Sequence, residues 1–148
     1  LPNQNGFSTK ARLRMKILLV EDSKFLRIAT ERSLAHAGYA VTVAGDGEEA
    51  LKLAHTLLPD LILLDMLLPK MSGPDVLKAL KKDPLTKSIP VVVLSGLSEK
   101  NASRLQEDGA FAFLGKTELS LEKGSRGLLA ALSDIIKRLP QSRAQSAP

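Results

Sequence analysis

The sequence predicts an α/β protein, a doubly wound five-stranded parallel sheet with five helices on its two faces in a three-layer sandwich. Three observations predict it. Short, wholly apolar runs recur along the chain and end in polar residues, as strands covered on both faces should. Between them, apolar residues repeat at helical spacing. The two patterns alternate five times, which implies parallel strands joined by helical crossovers. The 148 residues suit one domain with a substantial core.

Residues 16–20 (KILLV) read as the first strand. A helix follows Ser23, with Leu26, Ala29, Ser33 and Ala37 lining one face, and Gly38 closes it. Val41 and Val43 alternate with Thr42, the pattern of a less buried second strand. After Asp46, the residues Ala50, Leu51, Ala54, Leu57 and Leu58 line a second helix that Pro59 stops. Residues 61–64 (LILL) form the third strand. The loop beyond it holds Pro69, Gly73 and Pro74, the last suited to a helix's first turn, and Val76, Leu77 and Leu80 make the next apolar stripe. Residues 91–94 (VVVL) are the fourth strand, 98–108 a weakly amphipathic helix, and 110–114 (AFAFL) the fifth strand. Leu128, Leu132, Ile135, Ile136 and Leu139 mark the last helix. The folded domain therefore spans 15–139, with a flexible basic tail at 1–14 and a flexible tail or linker at 140–148.

Composition excludes several function classes. With no cysteine, a disulfide framework, a thiolate zinc site and a cysteine nucleophile are ruled out. Two histidines, His36 and His55, leave little for a multi-histidine metal site. No apolar run approaches the ~18 residues of a membrane span, and the first fourteen residues lack the apolar stretch of a secretory signal. A soluble, cytoplasmic chain is the expectation. The net charge of +5 suggests nucleic acid until its placement is considered. Lys10, Arg12, Arg14 and Arg143 carry four of the five net charges, so the body is nearly neutral. Aromatic residues are 3% of the chain, too few for a base-stacking platform, and no direct nucleic-acid contact is expected.

In a doubly wound sheet, chemistry collects beyond the carboxyl ends of the strands. Glu21 and Asp22 follow the first strand, Asp65 the third, Ser95 the fourth, and Lys116 stands two residues past Leu114 of the fifth. In the flavodoxin-like strand order 2-1-3-4-5, the first, third, fourth and fifth strands are successive neighbours ~4.8 Å apart. Three carboxylates then converge, and like charges that close resist joint ionisation unless a cation intervenes. Hard oxygen donors without His or Cys favour Mg²⁺. With a hydroxyl and an ammonium beside them, the set reads as a phosphoryl site. Taken singly, Ser23 or Asp22 reads as a helix cap, Asp65 and Ser95 as turn residues, and Lys116 as solvated. The coincidence at four strand ends favours the functional reading.

On the stretches KILLVEDS, DLILLDMLLPKMSGPDVL, PVVVLSG and GAFAFLGK, residues 15–139 resemble the receiver domain of two-component response regulators, the chemotaxis-protein-like fold. The resemblance implies that Asp65 is the phosphoacceptor, taking a phosphoryl group from a sensor histidine kinase or histidine phosphotransfer protein. It implies that Glu21, Asp22, Asp65 and the backbone carbonyl of Met66 hold Mg²⁺, and that Ser95 and Lys116 contact the phosphoryl oxygens. Phe113 takes the place of the switch aromatic, paired with Ser95, and the signal passes to a downstream protein target or an output domain. Three departures stand out: Thr117 follows Lys116 where the family usually has proline, residues 117–127 make a long approach to the last helix, and Phe113 lacks a hydroxyl. Leu67, two residues past Asp65, is apolar where a polar side chain can assist an attacking water, so a persistent phosphoryl state is expected.

Three other readings compete. An Asp-nucleophile hydrolase normally has a second acid two residues after the nucleophile, where this chain has Leu67. A nucleotide-binding Rossmann protein has a glycine-rich first turn, where this chain has EDSKFL. A degenerate receiver would act by docking without phosphorylation. Both a stand-alone protein and one domain of a longer regulator fit a chain that starts at Leu1 and ends in PQSRAQSAP.

Overall fold

The apolar runs pair edge to edge into a single parallel sheet. The computed structural model describes residues 14–95, 99–115 and 124–140. In chain order the elements are β1 (Lys16–Val20), α1 (Lys24–His36), β2 (Ala40–Ala44), α2 (Gly47–Leu57), β3 (Leu61–Asp65), α3 (Gly73–Lys82), β4 (Val91–Ser95), α4 (Glu99–Glu107), β5 (Ala112–Gly115) and α5 (Gly124–Lys137). The strand order is β2-β1-β3-β4-β5, every pair parallel, as the alternation predicts. The expected tails lie almost wholly outside the described residues, as do 117–123 of the expected approach at 117–127, whereas 124–127 already belong to α5 despite Gly124 and Gly127.

Alternate side chains of the central strands enter two separate cores. Leu18, Val20, Ile62, Leu64, Val91 and Val93 face Ala54 of α2, Leu77 of α3 and Leu105 of α4. Ile17, Leu19, Leu61, Leu63, Val92 and Leu94 face Leu34 of α1 and Leu128 and Leu132 of α5. All of these strand residues are buried, which is why their runs carry no polar alternation. β2, at the sheet edge, is half-buried over Ala40–Val43, matching its mixed pattern.

Local chemistry sets the helix starts. Ser23 Oγ accepts the Leu26 N–H (3.4 Å), Asp46 Oδ1 the Glu49 N–H (2.9 Å) and Ser72 Oγ the Asp75 N–H (3.3 Å). Glu49 Oε1 reaches back to the Gly45 N–H at 2.9 Å, a reciprocal bond close to a capping box. Gly38 closes α1 with φ +104°, a conformation that L side chains resist.

Three expectations about faces and bounds need correction. In α1 the fully packed residues are Thr30 and Leu34, while Ala37 is exposed, so the buried stripe is rotated from Leu26/Ala29/Ser33/Ala37 to Leu26/Thr30/Leu34. In α2, Leu57 and Leu58 are exposed, because the helix ends there and Leu58 turns into the left-handed region at φ 46°. The fifth strand begins at Ala112 rather than 110, since the Ala110 N–H still answers the Leu105 carbonyl of α4 at 2.9 Å.

Candidate functional site

The site grows from the register of β1 and β3. Val20 pairs with Leu64, so Glu21 and Asp65 each stand one step past a matched pair on adjacent strands. Both are buried, at 1% exposure, while Asp22 is exposed. One carboxylate oxygen from each of Glu21, Asp22 and Asp65 lies within 4.8 Å of the other two. Like charges that close repel one another, less where Asp22 meets solvent. A hard divalent cation among the three oxygens removes that repulsion, and a donor set of carboxylates without His or Cys suits Mg²⁺.

Backbone bonds hold these groups in place. The Glu21 N–H donates to the Ala44 carbonyl at 3.0 Å, and Glu21 Oε2 accepts the Ser23 N–H at 3.2 Å. Asp65 Oδ1 accepts the Leu67 N–H at 3.1 Å, which fixes the rotation of its carboxylate. The Met66 N–H donates to the Leu94 carbonyl at 3.3 Å, and the Met66 carbonyl accepts the Gly73 N–H at 3.1 Å. The start of α3 is thereby tied to the end of β3. The approach is so close that only glycine fits at 73, since a Cβ there would lie 2.4 Å from Met66 Cα.

The remaining expected residues divide. Asp65 pairs with Leu94 and Ser95 with Gly115, so the Ser95 backbone stands beside Asp65 and one step further along the sheet edge. The Ser95 side chain, Lys116 and the Lys116–Thr117 loop lie outside the described residues. Phe113 pairs with Val93 and is half-buried against the core shared with α2, α3 and α4.

A family model for the response regulator receiver domain matches residues 17–122. The chain belongs to that family. Among solved structures, this receiver resembles the chemotaxis response regulator CheY4 of Vibrio cholerae, with a TM-score of 0.74 and 30% identity over 82% of this chain and 98% of that one. It is 42% identical over 111 residues to the gliding motility regulatory protein of Myxococcus xanthus, covering 74% of this chain and 14% of that protein. It is 41% identical over 88 residues to the alkaline phosphatase synthesis transcriptional regulatory protein PhoP of Bacillus subtilis, covering 60% of this chain and 36% of that protein. The receiver thus spans only 14% and 36% of the lengths of these two curated relatives. Receiver domains are signalling modules rather than classical enzymes, and they typically bind Mg²⁺ through acidic residues such as the set assembled here. Among the described residues, no helix is long and apolar enough to cross a membrane.

Sequence reasoning missed two cations, one in the β3–α3 loop and one in the first turn of α1. Lys70, at φ 66° in the β3–α3 loop, places Nζ 3.5 Å from Asp46 Oδ2 at the cap of α2. Arg27 donates from Nη1 to the Glu21 carbonyl at 3.0 Å. The second had a visible signal. The opening turn of α1 carries Lys24 and Arg27 and no acid, the reverse of what the positive end of a helix favours.

Proposed function

We propose that this receiver accepts a phosphoryl group on Asp65 from the phosphohistidine of a sensor histidine kinase or histidine phosphotransfer protein, in a Mg²⁺-dependent reaction. The observation that carries the reading is the convergence of three carboxylates from two strand ends within 4.8 Å. Mg²⁺ would be held by Glu21, Asp22 and Asp65, and when bound it supplies charge neutralisation for the incoming phosphoryl oxygens. The Met66 backbone carbonyl would complete the ligand set, since a carbonyl oxygen has two lone pairs and the Gly73 N–H takes only one.

Asp65 acts as the nucleophile. One carboxylate oxygen attacks phosphorus in line, the new P–O bond forms as the P–N bond to the donor histidine breaks, and the bond's electron pair returns to the imidazole. The Leu67 N–H on Oδ1 steers the carboxylate, and burial of Asp65 shields the acyl phosphate from water. Ser95 and Lys116 are assigned to the phosphoryl oxygens, and Phe113 with Ser95 to the switch that reports occupancy to a downstream protein target or an output domain in the cytoplasm. An apolar Leu67 two residues past the nucleophile speaks against a hydrolase, and the intact acid set speaks against docking alone.

Incubation with a small acyl-phosphate donor and Mg²⁺, followed by intact mass measurement, tests the reading. One added phosphoryl group is expected, absent in Asp65→Asn and abolished by chelation. An unmodified wild-type mass, or a label that survives Asp65→Asn, would overturn it.

A further inference from the structure

Arg27 stands where a cation is electrostatically disfavoured, and its contacts explain why. Its guanidinium Nη1 bonds the Glu21 carbonyl at 3.0 Å. That carbonyl belongs to the peptide joining Glu21 to Asp22, so its direction sets the angle between the two neighbouring carboxylates. The same guanidinium rests on the backbone of the β2–α2 loop: a Cβ built on Gly45 would lie 3.0 Å from Nη1 and 3.9 Å from Cζ. The loop it rests on is itself fixed, because the Gly45 N–H is held by Glu49 Oε1 at 2.9 Å. On its other side Glu21 is anchored through its own N–H to the Ala44 carbonyl at 3.0 Å. The two peptides flanking Glu21 are therefore held from outside their own turn, one by the end of β2 and the other by Arg27.

We propose that Arg27 is a positioning residue for the acidic pair, its guanidinium fixing the Glu21–Asp22 peptide and thereby setting the affinity of the site for a divalent cation. This rests on the cation-binding reading above. Two effects of Arg27 on that affinity oppose each other. Its positive charge, bonded to the Glu21 carbonyl, repels a cation arriving at that turn, so charge alone predicts tighter binding when the residue is removed. Its hydrogen bond preorganises the ligands, and loss of such an outer contact typically weakens metal binding about tenfold or more. The guanidinium here is half-buried and aimed at a ligand's backbone, while its charge is partly screened by solvent, so preorganisation dominates.

Calorimetric titration of the whole chain with Mg²⁺ alone, without phosphoryl donor, decides the matter, with a thermal melt of each variant. Wild type binds, and Arg27→Ala binds about tenfold more weakly. Arg27→Lys keeps the charge on a shorter, tetrahedral head that does not reproduce the Nη1 bond to the Glu21 carbonyl, and weakens binding nearly as much. An affinity in Arg27→Ala equal to or tighter than wild type would overturn the proposal; should that variant fail to fold, Arg27→Lys decides by the same criterion. If wild type itself binds no Mg²⁺, the cation-binding reading fails and this inference with it. If wild type binds and the variants match it, the inference alone is lost.

Discussion

Gly73→Ala adds one methyl group at the start of α3, and the consequence can be worked from the contacts. The new Cβ would lie 2.4 Å from Met66 Cα, 2.7 Å from the Asp65 carbonyl oxygen and 2.9 Å from the Met66 carbonyl carbon. Ordinary contact begins at 3.4 Å, so the nearest atom must give way by about 1 Å, and as backbone it cannot rotate aside. The helix is pinned by the Ser72 cap and by buried Val76 and Leu77, which leaves the Asp65–Met66 turn to move. Overpacking of this kind costs about 1–3 kcal/mol, and loss of the Gly73 N–H bond to Met66 adds ~1 kcal/mol. A melting temperature lower by roughly 10 °C follows. Displacing a nucleophile by ~1 Å slows an oriented reaction about a hundredfold. Circular dichroism melts and the time course of labelling by an acyl-phosphate donor, read by intact mass, measure the two effects. A Gly73→Ala protein that is labelled at the wild-type rate would refute the argument that this contact sets the position of Asp65, whatever its melting temperature.

Other perturbations probe the core, the acid stability and the lifetime of the label. Leu63→Ala empties a fully buried site and should cost about 2–5 kcal/mol in denaturant unfolding, whereas Leu85→Ala, at a residue 53% exposed, should stay within about 0.5 kcal/mol of wild type; equal losses would mean the core is placed wrongly. The Glu49 N–H holds the Asp46 carboxyl below its ordinary 3.8, and the Leu85 N–H, followed by the His55 ring, does the same for Asp83. Because both values are lowered in the fold, the stability they contribute is present above pH 3.8 and is lost as pH falls through the lowered folded-state values. Asp46→Asn and Asp83→Asn should each flatten the fall in melting temperature on acidification, and an unchanged slope would count against those bonds. Leu67, 71% exposed and two residues past Asp65, has itself no polar group to assist an attacking water. The phosphoryl label should therefore persist in Mg²⁺ buffer, and Leu67→Gln should shorten its lifetime; rapid loss from wild type would contradict this.

The strands were legible from residues alone because burial on both faces leaves one signature, an unbroken apolar run. KILLV, LILL and VVVL each became a central strand, and the mixed AVTVA became an edge. Helix faces were harder. Thr30 is polar yet only 4% exposed, and a hydroxyl residue between Ala29 and Ser33 gives periodicity no reason to choose it. Leu57 and Leu58 look like a continued stripe, but a helix that ends at Leu57 no longer carries its successors over the core.

The site divides along the same line. That Glu21, Asp22 and Asp65 are the candidate site residues was readable from their positions just past apolar runs, since the ends of parallel strands are where backbone and side chains open to a ligand. Their convergence followed from the expected strand order, but the 4.8 Å spacing, the hold of the Leu67 N–H on Asp65 and that of Arg27 on the Glu21–Asp22 peptide were decided only by tertiary structure. The physical reason is range. Apolar periodicity reports which way each residue faces relative to the core, a one-body preference for leaving water. The tilt of a carboxylate and the reach of a guanidinium depend on hydrogen bonds between loops brought together by sheet register, and those directional, many-body terms leave no trace in the pattern of a single segment.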